Sequence, residues 1–106
     1  LSTDIEEEDD VSLPKDFELT QNYPNPFNPQ TKIQYALPHD CEVQVTVYNV
    51  LGQKVRTLVN EHERAGYQRI EWDSKNDRGE EVASGIYFYE LKAGDYTETK
   101  KMLLLK

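Results

Sequence analysis

What this chain of 106 residues has little of narrows its function before any motif is read. Cys41 is the single cysteine, so neither an intrachain disulfide nor a multi-cysteine zinc site can form. No stretch approaches the ~20 consecutive apolar residues of a membrane-spanning helix, which argues against direct membrane insertion. Lysine and arginine number 12 against 20 acids and do not cluster, so no phosphate-neutralising face for nucleic acid is expected. Helical periodicity is missing too. The nearest window, Leu58 to Arg64, is charged and is interrupted at Gly66. The chain opens without methionine or a basic-then-apolar leader, and that opening predicts a piece of a longer protein.

What is present is unevenly spread. Seven carboxylates and one lysine fall in residues 1–16, a net of −6 out of the chain's −8. With few apolar side chains and with Pro14 to interrupt regular structure, that segment reads as an acidic, disordered linker extended by self-repulsion. Residues 17–106 are close to neutral and long enough for one domain. Their first marked feature is Tyr23-Pro24-Asn25-Pro26-Phe27-Asn28-Pro29. Three prolines in six residues remove three backbone donors and push Tyr23, Asn25 and Asn28 out of helical conformations. A stiff crossing is expected, with Tyr23 and Phe27 plugged into the domain and Asn25 and Asn28 capping local amides.

From residue 31 the chain alternates. Ile33, Tyr35 and Leu37 share one face of a strand ended by Pro38, and Val43, Val45 and Val47 repeat the pattern. Further strands are expected around Val55–Val59, Tyr67–Trp72, Ile86–Leu91 and Tyr96–Leu105, with turns at Asn49–Gly52, Ala65-Gly66, Asp73–Gly79 and Ala93–Asp95. With Phe17–Leu19 this makes about seven strands, and the fold expected is all-β, an immunoglobulin-like antiparallel sandwich.

Groups that could carry chemistry are few. His39 and Cys41 would share a face if they lay on a strand, but no protease-like pattern surrounds them, and a bystander thiol is the simpler reading. Asp73–Gly79 resembles a calcium loop only loosely: Lys75 and Arg78 occupy positions where an EF-hand needs a ligand and a glycine. Turn chemistry explains its Asp and Asn residues, and a looser calcium site stays open. Tyr35, Tyr87, Tyr89 and Trp72 could form a sugar-stacking platform, yet their alternation suits a core. No catalytic residue, metal or cofactor is therefore assigned. The ending Lys101-Met102-Leu103-Leu104-Leu105-Lys106 is unusual, because four apolar residues stand where chains tend to fray. Alternation would turn half of them outward, at a sheet edge that invites pairing.

Read together, FELTQNYPNPFNPQTKIQYALP, VQVTVYNVLGQKVRTLV, AGYQRIEWD and GEEVASGIYFYELKAGDYTETKKMLLLK closely resemble the type A C-terminal sorting domain of the type IX secretion system. The resemblance covers residues 17–106, and the pattern is also similar to the Ig-like domain of the flagellar hook-capping protein. It implies a non-enzymatic module fused behind a cargo, with residues 1–16 as the linker from that upstream cargo domain. It further implies that the cargo passes through periplasm and outer membrane to be secreted or held at the cell surface. The implied partners are the fused cargo, an outer-membrane translocon and a cell-surface sortase that removes the module. The family's signal residues fall here on Gly85, Tyr87 and Lys101 to Lys106. The sequence departs from the family at Asp73-Ser74, where many relatives have Asp-Gly. Two other readings are a retained adhesive or carbohydrate-binding module of an extracellular enzyme, and a structural spacer.

Overall fold

The structure, a computed structural model, describes residues 13–106. Of the expected linker, residues 1–12 lie outside that range. Within it, Pro14 is buried while Leu13, Lys15 and Asp16 are exposed.

Among the described residues seven strands form: β1 (Glu18–Leu19), β2 (Thr31–Leu37), β3 (Cys41–Tyr48), β4 (Lys54–Glu63), β5 (Gly66–Trp72), β6 (Gly85–Ala93) and β7 (Tyr96–Leu104). All pairs are antiparallel, in a three-stranded sheet ordered β1-β2-β5 and a four-stranded sheet ordered β4-β3-β6-β7. This is the expected all-β sandwich, and the cause is the period-two pattern. Ile33, Tyr35 and Leu37 of β2 meet Val43, Val45 and Val47 of β3 in one core, joined by Tyr87, Tyr89 and Leu91 of β6 and by Met102 and Leu104 of β7. Trp72 is fully buried and packs edge-on against Tyr87 at 5.3 Å, with the tilted ring of Phe27 at 5.8 Å. Core packing, rather than a sugar platform, is thus what Tyr35, Tyr87, Tyr89 and Trp72 supply.

The proline-rich segment departs from expectation at one of its two aromatics. Phe27 is buried at 2% exposure, but Tyr23 is 78% exposed. The reason is register. Tyr23 bridges Lys32 through paired backbone bonds of 2.9 and 2.8 Å, and Lys32 lies between the inward Thr31 and Ile33. Residues directly opposite share a face, so Tyr23 must point to solvent with Lys32. The second correction concerns Asn25. Its Oδ1 accepts no local amide but the backbone N–H of Leu103, 78 residues away, at 3.0 Å.

Candidate functional site at the end of the last strand

β7 is an edge strand of the larger sheet, held on one side by β6. The register sets Gly85 opposite Leu104, Ile86 opposite Leu103, Tyr87 opposite Met102 and Phe88 opposite Lys101. The expected signal residues, scattered over twenty-two positions, therefore come together at one end of one strand pair. Gly85 has φ 149°, a conformation that side chains rarely adopt, so a glycine is required where β6 begins. Tyr87 is buried and donates from its hydroxyl to the Ala83 carbonyl at 2.7 Å, which ties the loop before β6 to the core.

The other side of β7 is covered by the segment that the prolines stiffen. Gln21 Nε2 donates to the Lys101 carbonyl at 2.7 Å, and Asn25 accepts from Leu103 N–H. Phe27 then bridges the strand in parallel, its N–H on the Leu103 carbonyl and its carbonyl accepting Leu105 N–H, both at 3.0 Å. A side-chain acceptor serves here because proline leaves few backbone groups able to pair. The segment is in turn held from inside. The Tyr89 hydroxyl donates to the Thr20 carbonyl at 2.7 Å and accepts the Asn22 N–H at 2.8 Å, while buried Asn22 donates to Thr31 Oγ1 at 2.9 Å. Burial pushes the Tyr89 hydroxyl up to about 12. Gln21 and Asn22 were not singled out in the sequence, and Asn25 was given only a local partner. Polar side chains beside donor-less prolines are the signal that could have found them.

The residues expected to carry the signal divide by exposure. Gly85 is half-buried, and Tyr87, Met102 and Leu104 lie inside; Leu103 is half-exposed, Leu105 is 50% exposed, and Lys101 and Lys106 face solvent. Lys106 is anchored at both ends, its N–H on Ser84 Oγ at 3.0 Å and its Nζ on Glu81 Oε1 at 3.3 Å. The site offers two cations and an apolar edge of fixed geometry, with no nucleophile or general base among the named residues.

The remaining candidates fall elsewhere. Cys41 is buried on β3, and burial followed by Glu63, Asp40 and Glu42 pushes its thiol up, away from the thiolate that a nucleophile needs. His39 stands outside the strand, edge-on to Phe17 at 5.3 Å. In the 73–79 loop, Asp73 Oδ1 accepts from Arg56 at 3.1 Å, Asp77 from Thr57 N–H at 3.0 Å, and Asn76 from the Arg78 and Glu80 amides. These oxygens serve turns and β4. Among the described residues no group of three His, Cys, Asp or Glu could hold a metal ion. Ser74, at the family departure, takes a positive φ of 66° that glycine would adopt without strain. It is fully buried and its hydroxyl donates to the Pro29 carbonyl, fastening the far end of the proline segment.

Residues 21–105 match the family described as secretion system C-terminal sorting domain. The chain belongs to that family, the one its sequence resembles, and is a sorting-signal domain of type IX secretion that is not itself catalytic. Such a domain implies interaction with the secretion system and export to the cell surface or beyond. Among solved structures it is similar to dimeric latent PorU from Porphyromonas gingivalis, at 18% identity and TM-score 0.67, over 85% of this chain and 9% of that one. It is also similar to PorZ, a surface component of the type IX secretion system of the same organism, at 14% identity and TM-score 0.56, over 85% of this chain and 11% of that one. FlgD from P. aeruginosa matches at 26% identity and TM-score 0.55, over 70% of this chain and 58% of that one. The chain thus spans about a tenth of the first two proteins, and those likenesses concern fold. No curated protein matches it.

Proposed function

We propose that this member of the sorting-domain family is carried behind a cargo by the linker of residues 1–16, and that an outer-membrane translocon reads the end of β7. In this reading Lys101, Leu103, Leu105 and Lys106 are the presented part of the signal. Gly85, Tyr87, Met102 and Leu104 hold that part in place, and Tyr23–Pro29 is the structural motif that covers the strand's open side. A cell-surface sortase then cuts within the linker and releases the module. The route runs through periplasm and outer membrane, and any enzymatic activity belongs to the cargo.

The observation that carries the reading is convergence: the beginning of β6, the end of β7 and the proline segment meet at Leu103–Leu105, through main-chain pairing on both sides. An edge strand with apolar residues on both faces is a pairing hazard unless covered, and the sequence devotes seven residues to covering it. The test fuses the chain behind a reporter that folds in the periplasm of a bacterium with a type IX system. The wild-type fusion is expected at the surface, and the Lys101–Lys106 deletion is expected to stay in the periplasm with its reporter folded. Surface display of the deletion at the normal rate would defeat the proposal.

A further inference from the structure

The smaller sheet has edges of its own, and β5 is one of them. The pairing shows which of its backbone groups are engaged. Lys32 directs both its N–H and its carbonyl to Tyr23, and the Gln34 carbonyl accepts from Thr20, so these residues of β2 face the β1 side. Direction alternates along a strand, so Thr31, Ile33, Tyr35 and Leu37 face β5, opposite Trp72, Ile70, Gln68 and Gly66. The N–H and C=O groups of Tyr67, Arg69 and Glu71 therefore point away from the sheet. Among the described residues no loop backbone takes them up.

This edge is also regular. Its register with β2 runs from Trp72 to Gly66 without a slip, whereas β4 slips twice against β3. No proline falls within Gly66–Trp72, and Tyr67, Arg69 and Glu71 all carry exposed side chains on the outer face. A straight, open edge of this kind is a template for one more strand.

The side chains decide which strand fits. Consider a second copy of β5 laid antiparallel, with edge-facing residues opposed. A two-fold axis at Ile70 sets Arg69 opposite the partner's Glu71, and Glu71 opposite the partner's Arg69. Each is a hydrogen-bonded pair with an ion pair above it. An axis at Arg69 would instead bring two guanidinium groups together. One at Gln68 would leave Glu71 opposite Ala65, beyond the strand. β4, joined to β5 through Arg64-Ala65, carries Lys54 and Arg56 toward one end and Glu61 and Glu63 at the other. An antiparallel copy brings those unlike ends to the same side as well. Mixed charge of this order is what a two-fold requires.

We infer that β5 is a homotypic edge, at which two copies of this chain pair β5 with β5 about a two-fold at Ile70 and join their smaller sheets into one. The inference does not rest on the sorting reading. β1 and β5 are opposite edges of their sheet, and it is the segment after β1 that meets β7. Pairing through β5 therefore uses the side of the sandwich away from the β7 tip and leaves both tips presented.

The experiment uses the purified full chain with a reductant that keeps Cys41 a thiol. Residues 1–16 carry a net −6 that repels between copies, and salt at about 0.15 M screens it beyond ~8 Å. Sedimentation equilibrium should show monomer and dimer in exchange. Amide exchange at Arg69 and Glu71 should slow as concentration rises, while the Leu103 amide keeps its rate. Arg69→Glu alone, or Glu71→Arg alone, opposes like charges twice and should weaken dimerisation by about tenfold. The two changes together exchange the partners and should restore it to within about threefold. With an axis at Arg69 the double variant would face glutamate with glutamate, so restoration also identifies the register. A chain that stays monomeric up to about 1 mM, or a double variant no better than the singles, would overturn the inference. So would a benzophenone at Tyr67 that captures another protein in cells and never a second copy, which would give the edge to a foreign strand.

Discussion

The two edges of the larger sheet protect themselves in opposite ways. β4 is guarded by its own composition. Lys54, Arg56, Glu61, His62 and Glu63 line it, its register with β3 slips at two places, and Asp77 takes up its Thr57 amide. Glu63 also accepts the Tyr35 hydroxyl at 2.5 Å, which fastens β4 to the other sheet, and burial holds the Glu63 carboxyl above its usual range. β7, by contrast, ends in Met102-Leu103-Leu104, with Leu105 just beyond, and relies on a separate segment, Gln21–Phe27, laid along it. Charge and irregularity blunt an edge permanently. A covering segment leaves the strand underneath apolar and regular, which is what a readable terminal strand requires. One edge is thus closed by charge and irregularity, the other by a covering segment that leaves only side chains such as Lys101 and Leu105 facing solvent at its tip.

Removing the cover's main anchor should show the contrast most strongly. Phe27→Ala is expected to cost ~3–5 kcal/mol in chemical denaturation, as for other buried aromatics, whereas Tyr23→Ala should change stability by less than about 0.5 kcal/mol. Equal effects would mean that the segment is not held through Phe27. Alkaline pH attacks the same cover from inside. Tyr89 has its hydroxyl raised by burial to about 12, against about 10 when unfolded, so the folded chain keeps a proton that the unfolded chain loses. Stability should therefore fall as pH rises from 10 to 12, by about 2–3 kcal/mol from this residue, and Tyr89→Phe should flatten the curve. An identical slope in the variant would contradict the assignment.

Smaller changes sharpen the picture. Ser74→Ala keeps the positive φ but leaves the Pro29 carbonyl without its donor, for an expected loss of about 1–3 kcal/mol by thermal melting. Asn25→Ala should cost about 0.5–1.5 kcal/mol and speed hydrogen exchange at the Leu103 amide while sparing the Thr57 amide on β4. Equal acceleration at both edges would point to global loosening instead.

The strands were legible because alternation of Val, Ile, Tyr and Leu has one physical reading on a half-buried sheet, and Trp72, Tyr87 and Tyr89 lie inside as that pattern requires. The proline segment was legible as a stiff crossing but not in its facing. Without periodicity, nothing in Tyr-Pro-Asn-Pro-Phe says that Phe27 turns inward and Tyr23 outward; the bridge to Lys32 decides it. Asn25 shows the same limit from the other side. A local turn was the economical expectation, and the actual partner is a backbone amide that only the folded topology brings near. The signal residues were nominated as two separate stretches, and their meeting depends on the β6–β7 register. The departure at Ser74 was visible in the sequence, while its bond to Pro29 was not.

The smallest structural change carries the most direct test. Lys101→Glu with Lys106→Glu reverses exposed charge at the tip of β7, breaks the surface pair of Lys106 with Glu81, and should shift stability by less than about 1 kcal/mol. The measurement is the rate at which a fused reporter reaches the cell surface. Our account predicts a folded module whose cargo is retained in the periplasm. A folded double variant that arrives at the normal rate would contradict it, and would place the signal in the Gly85–Leu91 strand or in the shape of the whole sandwich.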